Sequence, residues 1–125
     1  MPTGHCVPYV RVKNARASLD YYHRCLGFHE DWEHVFAPQP PLRVSISRGN
    51  LHLFLSEASE DGSFGCCVYC SVHDADRLHA EFERAGALQL SVVKEVPWGR
   101  EFSVQDEDGN ELRFASPRID SSMAA

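Results

Sequence analysis

Long apolar runs are missing from this chain: none approaches the ~18 residues of a membrane-spanning helix, and no basic segment followed by an apolar one opens it. The expectation is a soluble, cytoplasmic protein with no membrane partner. Positive charge is also scarce, with 12 Lys and Arg against 18 Asp and Glu and a net charge of −6. That balance argues against nucleic acid, which needs a concentrated cationic surface, and it suits a cationic ligand. No Ser or Cys stands in an elbow-like motif beside an identifiable base, so nucleophilic catalysis has no footing. Nor is there a phosphate loop, because Gly62-Ser63-Phe64-Gly65 lacks the lysine and the following helix.

Cysteines are few and odd in number. Cys6, Cys25, Cys66, Cys67 and Cys70 lie in apolar or strand-like runs, which suits buried free thiols in a reducing compartment better than a disulfide framework. The Cys67-x-x-Cys70 spacing could serve redox chemistry or half of a zinc site. In the strand-like run Cys66-Cys67-Val68-Tyr69-Cys70, however, residues 67 and 70 point to opposite faces, and there is no second such pair. Core packing is the plainer reading.

What is present is a repeat. The 125 residues, 43% hydrophobic, fit a single domain, 1–125. Val10 to Val12 alternates as a strand, Asn14 opens a helix in which Leu19, Tyr22, Cys25 and Leu26 recur at helical spacing, and Gly27 closes it. About 60 residues later the grammar returns: Val72, Asp74, Ala75, Phe82 and Arg84 stand where Val12, Asn14, Ala15, Tyr22 and Arg24 stood, and Gly86 ends the second helix. Strand-like runs follow each helix, at 28–32, 42–47 and 51–56, then at 88–96, 100–105 and 111–115. Gly49-Asn50 and Asp108-Gly109-Asn110 supply turns. Two βαβββ modules are therefore expected, at 5–56 and 66–118. A polar linker at 57–65 joins them, Pro38 to Pro41 forms a stiff loop, and 119–125 is a flexible tail.

The run Pro97-Trp98-Gly99-Arg100-Glu101-Phe102, followed by an Asp106-x-x-Gly109-Asn110 turn, resembles the C-terminal hairpin of the bleomycin-resistance proteins. These belong to the glyoxalase/bleomycin-resistance/dioxygenase (vicinal oxygen chelate) superfamily, whose architecture is a repeated βαβββ module. The resemblance covers about Val7 to Phe114. It implies an α+β fold in which two modules curl into half-barrel sheets around a cleft, and a homodimer with clefts between subunits. It also implies an N-terminal strand exchanged between subunits near a proline, for which Pro8 is in place.

Enzymes of this superfamily hold a divalent metal with four inward-facing His, Glu or Gln residues. Carried over by position, those places fall here on Val7, Phe54, Cys67 and Arg113, of which none is an oxygen or nitrogen ligand and one is a cation. His5, His52 and Glu111 each stand two residues before a vacant place, on the same strand face, so a displaced site for one divalent metal is the alternative to no cofactor.

A cleft without those ligands describes a binder better than a catalyst. The bleomycin-resistance group sequesters its drug without turnover, and a flat, cationic ligand calls for aromatic faces and carboxylates. Trp98 matches the family's stacking tryptophan, Trp32 and Phe36 fall near its two phenylalanines, Tyr69 lines the cleft wall and Arg100 neighbours Trp98. For Trp32 and Phe36 core packing is the competing role, and among Glu30, Asp31, Glu33, Glu57, Glu60 and Asp61 a solvated acidic surface competes with a seat for a cation. Glu101 reads as a partner for a nearby arginine. The alternative functions are a metal-dependent lyase, dioxygenase or thiol transferase acting on a small electrophile, and a binder of another planar metabolite.

Overall fold

Asn14 and Asp74 start the two helices in the same way. In the computed structural model of the chain, which describes residue 4, residues 6–35 and residues 41–117, each side chain accepts the amide hydrogen three residues on. Asn14 takes it from Ala17 at 3.0 Å and Asp74 from Arg77 at 3.1 Å. Helix α1 runs Ala15–Leu26 and helix α2 Ala75–Ala85, ending at Gly27 and Gly86 in the left-handed region with φ of 72° and 79°. Gly27 is constrained twice over, because a Cβ there would run into Nη1 of Arg48. That guanidinium donates to the Leu26 carbonyl at 3.0 Å and to Glu81 of α2.

The strands are β1 Tyr9–Arg11, β2 His29–Val35, β3 Leu42–Arg48, β4 Leu51–Ser56, β5 Cys67–Ser71, β6 Lys94–Val96, β7 Gly99–Gln105 and β8 Glu111–Pro117. They form two sheets of matching topology, β1-β4-β3-β2 and β5-β8-β7-β6, with the first strand of each module parallel to its last. The α+β fold with two βαβββ modules is thus the observed one. Strand β1 pairs with β4, Tyr9 opposite Phe54, at the edge of the first sheet. His5, Phe36, most of the Pro38 to Pro41 loop and the tail 119–125 lie outside the described residues. No helix among the described residues is long and apolar enough to cross a membrane.

One strand is much shorter than its sequence suggests. The run 88–96, rich in Leu and Val, is a strand only from Lys94, apart from a single bridge between Leu88 and Gln105. Gln89 adopts a positive φ of 48°, and although the Ser91 amide donates to the Ser103 carbonyl at 2.9 Å, the Ser103 amide donates back to the Ser91 hydroxyl at 2.9 Å instead of to its carbonyl. The thiols are all free, as expected. Cys25 and Cys70 are buried, and burial pushes the Cys70 thiol up to about 12. Cys6 and Cys67 are exposed, contrary to the expectation of uniformly buried thiols.

Each sheet buries one face under its helix. Val10, Val44, Ile46, Leu53 and Leu55 form the first covered face, and Phe102, Val104, Leu112 and Phe114 the second, all in one core with Tyr22, Leu26, Phe28 and Phe82. The modules are joined by polar ties as well. Tyr21 donates to the Gln105 carbonyl at 2.6 Å and accepts from the Leu88 amide at 2.9 Å. Tyr22 donates to Asp106 at 2.8 Å, while burial first and the Asp106 carboxylate second push its phenol well above the ordinary value. The Asn110 amide donates to the Arg11 carbonyl at 2.9 Å and accepts the Gly65 and Cys66 amides at 3.0 Å each.

Candidate functional site

The face of each sheet turned away from its helix is open, and alternation decides what it carries. On the first sheet it presents Tyr9, His52, Phe54, Arg43, Ser45, Ser47 and Trp32, which follows from the registers Tyr9 to Phe54, Phe54 to Ser45 and Ser45 to Trp32. Three rings run across it: Phe54 lies 5.2 Å from Tyr9 and 5.4 Å from Trp32, centroid to centroid. These are spacings of favourable aromatic contact. Tyr9 is 42% and Trp32 47% exposed, so neither is a core residue.

One end of this row is pinned by the linker. Arg43 lies 5.8 Å from the Tyr9 ring and is bonded to Asp61 at 2.5 Å, and Asp61 also accepts from Ser56 at 2.6 Å. Arg11 sits over Phe64 at 4.6 Å. The hydrogen bond from Arg43, with that from Ser56, holds the Asp61 carboxyl below the ordinary carboxylate range. A carboxyl with a lowered folded value stabilises the fold above its unfolded value, and the contribution disappears as pH falls through the lowered one. Asp61→Asn is therefore expected to flatten the acid limb of a stability-versus-pH curve measured by denaturant unfolding while leaving its shape above pH ~6 unchanged.

The open face of the second sheet carries Cys67, Tyr69, Glu111, Arg113, Ser103 and Glu101. Tyr69 is 54% exposed. Glu111 is bonded to Arg113 at 2.5 Å, with the Cys67 thiol at 3.9 Å. Of the displaced metal trio, His5 is outside the described residues, His52 is on the open face of the first sheet, and Glu111 is on that of the second, bonded to Arg113. Among the described residues no group of three His, Cys, Asp or Glu converges. The donor chemistry at the four family positions does not fit a divalent ion either, since Phe54 is inside the aromatic row and Arg113 is a cation.

Trp98 and Pro97 form the two-residue turn between β6 and β7, Val96 pairing with Gly99, and the indole is 58% exposed. Arg100 departs from expectation. It is on the helix-covered side of β7 and makes a two-pronged pair with Asp76 in the first turn of α2, at 2.8 and 3.2 Å, so it is turned away from the open face. Glu101 shares the open face with Arg113, whose charge its carboxylate favours, while its Oε1 is buried without a hydrogen bond. Tyr9 and the role of Phe54 were not foreseen. A family ligand position faces inward whatever residue fills it, so Phe54 was identifiable as cleft lining from the same count that declared it vacant.

A groove of about 510 Å³ lies between the Gly49-Asn50 turn and α2, and another of about 390 Å³ lies where Cys6 to Pro8 meet Val68 to Cys70. Neither contains Trp32, Phe54 or Trp98.

The fold has known counterparts. An antibiotic-binding protein from a Streptomyces species superposes with a TM-score of 0.74 at 18% identity, covering 94% of this chain and 99% of that one. A bleomycin-binding protein from the bleomycin producer Streptomyces verticillus, in complex with copper(II)-bleomycin, gives 0.73 at 26% identity over 94% and 99% of the two chains. The fosfomycin resistance protein FosX from Listeria monocytogenes gives 0.67 at 11% identity over 95% and 97%. No curated protein matches the sequence significantly. A family model described as a glyoxalase superfamily protein matches residues 3–121, and with the paired βαβββ modules already described, this chain belongs to the glyoxalase superfamily.

Proposed function

We propose that the protein binds and sequesters a planar, cationic antibiotic of the bleomycin type without chemical turnover, acting as a homodimer. The observation that carries this reading is the row Tyr9-Phe54-Trp32 on an open sheet face, with a phenylalanine at a place where enzymes of the superfamily hold a metal. Flat rings recognise aromatic faces, and a guanidinium at Arg113 disfavours a cation beside it. We propose no resident metal for that reason. The 26% identity with a bleomycin-binding protein supports the choice of ligand.

The dimer is argued from the strand order. Trp32 is on β2, the outer strand of one sheet, and Trp98 is in the turn after β6, the outer strand of the other. A second copy, setting its second sheet over this first one, would bring both tryptophans to one ligand and cover the exposed row.

Calorimetric titration with bleomycin, with elemental analysis of the protein and recovery of the drug, tests this. The expected result is saturable binding, unaltered drug and no stoichiometric divalent metal, with a dimer in sedimentation at micromolar concentration. A stoichiometric metal lost on His52→Ala or Glu111→Ala, or a chemically altered drug, would assign the chain to the lyases, dioxygenases or thiol transferases of the superfamily instead.

A further inference from the structure

Strand β2 breaks the alternation of a regular strand. Glu30 is opposite Ile46 and Trp32 opposite Ser45, so Asp31 is an extra residue between them, a β-bulge. In an unbroken ladder Asp31 would stand opposite Ser45 and Trp32 opposite Val44, whose side chain is fully buried beneath α1. A regular ladder would already put Asp31 on the open face opposite Ser45; what the bulge adds is the indole, which it keeps on that same face beside the carboxylate. The Ser47 hydroxyl donates to one carboxylate oxygen at 2.8 Å and the Ser45 hydroxyl, more weakly, to the other at 3.4 Å. Ser45 is itself opposite Phe54, the ring against which Trp32 rests. Among the described residues no cation is bonded to Asp31.

We infer that Asp31 is the anchor for the positive group of the ligand, a primary ammonium, amidinium or guanidinium joined to a flat ring that lies on Trp32 and Phe54. The inference rests on the binding function proposed above and narrows its ligand class. Two neutral hydroxyls fix the carboxylate without neutralising it, and each oxygen keeps room for a charge-assisted bond. A cation there also lies against aromatic faces, which adds attraction to the same group. An anionic group at this place would face the carboxylate unpaired. A solvated aspartate does not need the two serines that hold its carboxylate, nor an indole kept beside it by a bulge, whereas an anchor for a flat cation uses both.

The test uses two matched probes, 2-naphthylmethylammonium and 2-naphthylmethanol, titrated into the full chain and followed by amide NMR shifts. Wild type is expected to bind the ammonium about tenfold more tightly than the alcohol, with shifts at Ser45, Ser47 and Phe54. In Asp31→Asn, which keeps the shape of the side chain, the preference should fall below about twofold while the affinity for the alcohol is kept. Ser47→Ala, which loosens the carboxylate without removing it, should leave an intermediate preference. Equal affinities in wild type, a preference that survives Asp31→Asn, shifts confined to other strands, or no binding of either probe at millimolar concentration would each overturn the anchor. Bleomycin titration fails or succeeds separately: an intact ammonium preference without bleomycin binding removes the drug and keeps the anchor. Bleomycin binding with no ammonium preference does the reverse.

Discussion

Asp106→Ala is expected to lower the folding free energy by about 3–5 kcal/mol, the range for removing one member of a buried, fully paired network. The side chain is 4% exposed and accepts four hydrogen bonds. One comes from the Tyr22 hydroxyl at 2.8 Å, one from the Asn110 amide at 2.8 Å, and two from the backbone amides of Asp108 and Asn110 at 2.8 and 3.0 Å. Truncation strands the Tyr22 hydroxyl in the core and leaves the β7 to β8 turn without the acceptor that closes it. Tyr22→Phe removes a single donor and should cost about 1–2 kcal/mol. Denaturant midpoints at constant slope measure both, and an Asp106→Ala protein within about 1 kcal/mol of wild type would contradict the network's role.

Trp98→Ala is expected to do the opposite, weakening bleomycin binding by about 1–3 kcal/mol while leaving thermal unfolding nearly unchanged. A core tryptophan would cost about 3–5 kcal/mol of stability on truncation. The turn position and the 58% exposure predict that affinity moves and stability does not. Undiminished affinity would remove Trp98 from the site, and a large loss of stability would show that its ring is buried against something in the assembled protein.

The duplicated module was legible because helix capping and helix-end chemistry are local. Asn14 and Asp74, with Gly27 and Gly86, announce both helices without reference to anything distant. Trp98 was legible for a similar reason, since a large aromatic in a two-residue turn has little core within reach. The run 88–96 misled because Leu and Val favour strands on average, while a serine hydroxyl and a positive φ at Gln89 decide the local outcome. Arg100 misled because Trp98 is in the turn before β7, so nearness in sequence does not put the two on one surface; Arg100 alternates with Phe102 and Val104 on the helix-covered side. Asp31 could not be distinguished among the acids around it, because a bulge depends on which residue of β3 stands opposite, and that is not written in β2. Asp106 was read only as part of a turn, although its spacing of four from Asn110 is what lets one carboxylate close the loop.

The ties of Tyr21 and Tyr22 to the second module bear on how the chain comes apart. Two modules joined by a linker suggest two separable folding units, yet both hydroxyls of α1 find their acceptors on Gln105 and Asp106, and the Asn110 amide joins β1 to the start of β5. Opening either half exposes polar groups that only the other half satisfies, so amide protons of α1 and of the β7 to β8 hairpin share one exchange barrier. Neither copy of the unit is self-sufficient in its hydrogen bonds, and calorimetry is expected to show the chain melting in a single transition.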